Sequence, residues 1–173
     1  MKVFAPLLAV FALSSLLAQA EPSTVDEVLA AAKVKAASEQ KVIFVHFGAS
    51  WCIWCKRLDA FLDRPDIKPV FEKYFIPVKL VVQEHDKNKS LENPGGAALM
   101  EKFGSRGGLP YSAFINAHGS LIENSNLDGQ NIGYPGEPKE IDWFLHMMTT
   151  AAPKMSLDDL KTIETALRNF KKA

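Results

Sequence analysis

Lys41-Val42-Ile43-Phe44-Val45-His46-Phe47-Gly48-Ala49-Ser50-Trp51-Cys52-Ile53-Trp54-Cys55-Lys56 is the stretch on which the reading of this chain turns. Residues 41–47 are short, apolar and β-branched, and predict a buried strand. Lys56-Arg57-Leu58-Asp59-Ala60-Phe61-Leu62 carries a helical pattern. Between strand and helix stand the only two cysteines of the chain, Cys52 and Cys55. A Cys-x-x-Cys at a strand-to-helix junction suits thiol–disulfide exchange. The first sulfur falls at the helix N-terminus, where free N–H groups and the helix dipole favour a thiolate. The second falls about one turn later on the same face, within reach of a disulfide or of a mixed disulfide at the first. Two other uses compete. A structural staple closing so short a loop constrains the unfolded chain little. A zinc site needs more ligands, and no second Cys-x-x-Cys or His-x-x-x-His follows.

The N-terminus sets the context. Lys2 precedes an apolar run over residues 3–17, broken only by Pro6, Ser14 and Ser15, and Ala18-Gln19-Ala20 fits a small-x-small cleavage site before Glu21. Residues 1–20 therefore read as a cleavable export signal, cut after Ala20, and residues 21–173 as one domain. The run is too short and wrongly flanked for a membrane span, so no stable membrane insertion is expected. No cysteine stands at the cleavage point to carry a lipid anchor. The expected location is periplasmic or secreted. Lys plus Arg and Asp plus Glu balance at 20 each, which argues against a nucleic-acid surface. An exported chain with two cysteines does not use disulfides as scaffolding, so the pair it keeps is read as chemistry.

Outward from the cysteines, Thr24-Val25-Asp26-Glu27 resembles a capping box opening a helix to about Ala37. Residues 66–74 predict a second helical segment, 76–82 a buried strand, and 83–94 an exposed polar excursion. A short helix at 96–103 leads through Gly104-Ser105-Arg106-Gly107-Gly108 to Leu109-Pro110-Tyr111. The glycines do not make a phosphate loop, since no Lys-Ser/Thr follows them and no strand precedes them. Residues 112–117 and 121–123 form a hairpin about His118-Gly119, and 124–136 a turn-rich loop. Pro138 starts a helix to about Thr150. Ser156-Leu157-Asp158-Asp159 caps a last amphipathic helix whose apolar stripe is Leu157, Leu160, Ile163, Leu167 and Phe170.

This order of elements resembles the thioredoxin fold, an α/β arrangement with a central mixed sheet flanked by helices. Phe47-Gly48-Ala49-Ser50-Trp51-Cys52-Ile53-Trp54-Cys55-Lys56 is similar to the signature of exported thioredoxin-like proteins with a Cys-x-Trp-Cys-Lys centre, and Pro110 stands before a strand as that family's cis-proline does. The likeness covers roughly residues 42–144, and the terminal helix is extra to it. It implies that Cys52 attacks, that Cys55 resolves, and that the two form a disulfide. It also implies that Pro110 packs against this disulfide, leaving nearby backbone open to a substrate. Trp51, Trp54, Leu109 and Tyr111 flank the thiols as candidate substrate contacts, with Trp54 the more exposed tryptophan.

Three departures from the family pattern stand out. His46 occupies the position six before the first cysteine, where a buried acid is usual; neutral imidazole can take the same proton from a resolving thiol, or be a satisfied core residue. Ile53-Trp54 between the cysteines holds no thiolate-stabilising histidine, which favours reduction or isomerisation over strong oxidation. The segment 83–108 is longer than in the minimal fold and either shapes a partner surface or, the preferred reading, is a solvated insertion. Lys79 either sits beneath the site, as a lysine does in some relatives, or, the preferred reading, snorkels at the edge, and His85 and His118 are read as solvated. The expectation is an exported protein thiol–disulfide oxidoreductase, monomeric, needing no organic cofactor or metal. Its partners would be protein disulfides or dithiols and a membrane-linked or other thiol electron donor. A client-binding module with little redox activity is the alternative, and metal handling by the cysteines with a histidine a lesser one.

Overall fold

The computed structural model describes residues 21–170, so the proposed export signal over 1–20 lies outside the described residues. At the centre is β1 (Val42–Gly48), the strand predicted next to the cysteines. It pairs in parallel with β2 (Phe75–Val81) and antiparallel with β3 (Tyr111–Ile115), which in turn pairs antiparallel with β4 (Leu121–Asn124). The order β2-β1-β3-β4 makes a mixed four-stranded sheet.

Side chains of a strand alternate between the two faces of its sheet. Ile43, Val45 and Phe47 join one core with Leu29 and Ala32 of α1 (Val25–Glu39) and Met100 of α4 (Gly96–Lys102). Phe44 joins the other core, its ring against Phe71, Phe114 and Phe144 at centroid distances of 5.2, 4.9 and 6.0 Å. That second core is covered by α2 (Ile53–Leu62), α3 (Lys68–Glu72), α5 (Pro138–Ala151) and α6 (Leu157–Phe170). The alternation places His46 and Gly48 on the α2 face with Phe44. This is the thioredoxin-like fold, with α6 as an additional C-terminal helix. Thr24 opens α1 with the expected reciprocal cap: its hydroxyl accepts from the Glu27 N–H, and the Glu27 carboxylate accepts from the Thr24 N–H.

Three local expectations need correction. The 83–94 stretch is not simply solvated: it contains a 3-10 turn at Asp86–Leu91 and a buried Glu84. The 124–136 loop contains a small hairpin, β5 (Asn126–Leu127) with β6 (Gln130–Asn131). Leu157 is 82% exposed, because it stands ahead of the part of α6 that meets the core, through Leu160, Ile163, Ala166, Leu167 and Phe170. Among the described residues no helix is long and apolar enough to cross a membrane.

Candidate active site

Cys52 is the N-cap of α2, and its Sγ accepts the backbone N–H of Cys55 at 3.1 Å. The two cysteines are joined in a disulfide with Cα atoms 5.3 Å apart. Their exposures differ: Cys52 is 4% accessible and Cys55 0%. Both are buried, and Cys52, at the start of the helix, is the less enclosed of the two. Gly48 permits this closeness, since a Cβ there would lie 3.2 Å from Cys55 Cβ and 3.3 Å from its Sγ. A side chain at position 48 would crowd Cys55, which would have to give by a few tenths of an ångström.

Around the disulfide, Trp51 and Trp54 are equally exposed, at 50% each, so neither is the more exposed one. Trp51 donates from Nε1 to the Gln83 carbonyl at 2.8 Å and stacks on His85, which corrects the reading of His85 as merely solvated. Trp54 stacks on Tyr134, and the Arg57 guanidinium lies 5.6 Å from the Trp54 ring and 5.4 Å from that of Tyr134. Leu109 packs against Ala49, Cys52 and Cys55. The Leu109–Pro110 bond is cis. Pro110 is buried, and its carbonyl accepts from Asn131 Nδ2 at 2.9 Å. Tyr111 is fully buried and donates its hydroxyl to the Phe103 carbonyl at 2.6 Å; burial pushes that hydroxyl up to about 12. Its side chain is therefore no contact for a docking partner, contrary to the sequence reading.

On the α2 face of β1, two residues before Gly48, His46 is buried and its Nε2 lies 2.9 Å from Asp59 Oδ1. The other oxygen of Asp59 accepts from Lys79 Nζ, so Lys79 is an ion-pair partner and not a snorkelling residue alone. Burial pushes the Asp59 carboxyl up, but hydrogen bonds from His46 and Lys79 outweigh it and hold the group below the ordinary carboxylate range. His46 Nδ1 is buried with no hydrogen-bond partner.

Sequence reasoning missed Asp59, Glu84 and Asn131. Glu84 accepts from the Ser50 N–H and, at 2.7 Å, from the Ser50 hydroxyl, so it pins the loop two residues before Cys52. Asn88 adds a hydrogen bond to the same hydroxyl at 3.1 Å. The longer 83–92 segment is thus a brace for the cysteine loop. A visible signal for Asp59 is its place four residues after Cys55, one turn along the same helix face. Among the described residues no group of three or more His, Cys, Asp or Glu side chains is arranged to hold a metal ion.

A thioredoxin-like family model matches residues 24–117, more than half of the chain, and the chain belongs to that family. It combines the thioredoxin-like fold with the disulfide-bonded pair Cys52-x-x-Cys55. Among solved structures it is similar to a disulphide isomerase from Xylella fastidiosa Temecula1, at 23% identity over 84% of this chain and 86% of that one, with a TM-score of 0.46. It is also similar to the oxidised C-terminal domain of DsbD from Neisseria meningitidis, at 23% identity over 74% and 99% of the two chains, TM-score 0.48. A DsbH oxidoreductase matches at 17% identity over 85% and 95%, TM-score 0.45. No curated protein matches the chain in sequence.

Proposed function

We propose that this protein is an exported protein thiol–disulfide oxidoreductase that works as a reductase or isomerase. The observation that carries the reading is the placing of the pair on α2, with Cys52 as the N-cap that accepts the Cys55 N–H and Cys55 fully buried one turn inside. In the reduced protein the Cys52 thiolate attacks a substrate disulfide and bonds to one of its sulfurs, and the other leaves as a thiolate. Cys55 gives its proton to His46, and its thiolate attacks Cys52 Sγ. The second substrate thiolate departs and is protonated, and Cys52–Cys55 closes. Two electrons pass to the substrate. A thiol donor, membrane-linked in the proposed setting, returns them by the reverse exchange.

Trp51, Trp54 and Leu109 form the apolar rim on which a protein substrate docks, beside the backbone at Leu109–Pro110. Residues 1–20 direct the chain out of the cytoplasm, and 21–173 act as a monomeric domain. The direction of the chemistry is tested by the reduction potential of Cys52–Cys55 in a defined thiol–disulfide buffer. The pair Ile53-Trp54 supplies no histidine to stabilise the thiolate, so the value is expected nearer the ~−270 mV of strongly reducing dithiols than the ~−120 mV of strong oxidants. A value at the oxidising end would make the protein an oxidase.

A further inference from the structure

Asp59 belongs to none of the roles above, yet it sits where the mechanism is most demanding. Two contacts fix how α2 lies over β1. Gly48 abuts Cys55 at one end, and His46, two residues back on the same strand face, meets Asp59, one turn further along the helix. Cys55 and Asp59 thus lie one turn apart on the side of α2 that meets β1, and Gly48 and His46 two residues apart on the facing side of the strand. Lys79 stands opposite His46 in the β1–β2 register, with its Cε 4.0 Å from the position of a Gly48 Cβ.

The chemistry of the hydrogen bond then settles the state of the imidazole. A carboxylate only accepts, and Asp59 is held as a carboxylate by two donors. His46 must donate to it from Nε2. In neutral histidine the lone pair is then left on Nδ1, the atom that is buried without a partner.

We infer that Asp59 is a positioning residue for the His46 base: it locks the Nε2–H tautomer, so that Nδ1 receives the proton of Cys55 directly or through one water. This rests on the proposed role of His46 in resolving the mixed disulfide and adds which nitrogen acts and what holds it. The logic is that of a carboxylate orienting a histidine base beside a nucleophile. Lys79 fixes the carboxylate through its second oxygen. A cavity of about 310 Å³, lined by His46, Asp59, Lys79, Lys68, Phe71 and Pro77, has room for water beside the cluster. It offers the proton a way from His46 to solvent.

The test joins a spectroscopic signature to a step-resolved rate. In the oxidised wild-type protein, ¹⁵N spectra of the imidazole should show His46 with the proton on Nε2 and an unprotonated Nδ1. In Asp59→Asn that preference should weaken, and resolution of the mixed disulfide should slow by about tenfold, less than the full contribution of a general base. The first attack by Cys52 should keep its rate. A wild-type spectrum with the proton on Nδ1 overturns the inference by itself, even if Asp59→Asn fails to fold. An unchanged resolution rate in folded Asp59→Asn, with His46→Ala slow, removes Asp59 and leaves His46 as the base. Wild-type resolution rates in both variants remove the proton transfer itself.

Discussion

Cys55→Ser is expected to stop the reaction halfway and leave protein partners bonded to Cys52. The first attack needs only the sulfur at the N-cap of α2, which the variant keeps. The second needs a thiolate one turn inside the helix, and a serine hydroxyl is not ionised at neutral pH. The mixed disulfide then has no rapid internal exit. Non-reducing gels of cells expressing Cys55→Ser should show high-mass adducts that vanish on reduction and do not form in the Cys52→Ser, Cys55→Ser double variant. Turnover should fall to background. If neither variant yields adducts, the protein binds clients without exchanging disulfides with them.

His46→Ala should slow resolution on the order of a hundredfold while leaving the first attack nearly unchanged, since a positioned general base contributes about that much. The split follows from where His46 lies: on the α2 face of β1, hydrogen-bonded to Asp59, one helical turn from the resolving Cys55. Trp51 and Trp54 flank the disulfide, so stopped-flow tryptophan fluorescence separates the two steps. Loss of a buried ring will also lower stability, and the rates must be read on folded protein. An unchanged resolution rate there would confine His46 to packing.

The strand, the cysteine junction and the first helix were legible in the sequence because their signals are local. The apolar run of β1, the spacing of Cys52 and Cys55 and the Thr24–Glu27 cap are each contained within a few consecutive residues. The acids of the site were not legible for the opposite reason. Glu84 stands in a charged stretch that reads as loop, and its burial comes from Ser50, 34 residues away. Asp59 looks like the solvent side of an amphipathic helix until β1 and β2 bring His46 and Lys79 to it. His85 is exposed, as its loop suggests, but nothing local points to the Trp51 ring on which it stacks. Leu157 fits the periodic stripe of α6, but periodicity does not tell where along a helix the core ends. The place of Tyr111 after Pro110 suggests a substrate contact, whereas the alternation of β3 turns its side chain into the core beside Phe47.

The most direct test of the central claim is catalysed reduction of insulin by dithiothreitol, followed as the turbidity of the freed B chain. Wild-type protein should shorten the lag and accelerate precipitation at substoichiometric amounts, and Cys52→Ser should match the uncatalysed reaction. Wild-type protein that leaves the reaction at its background rate would contradict the account.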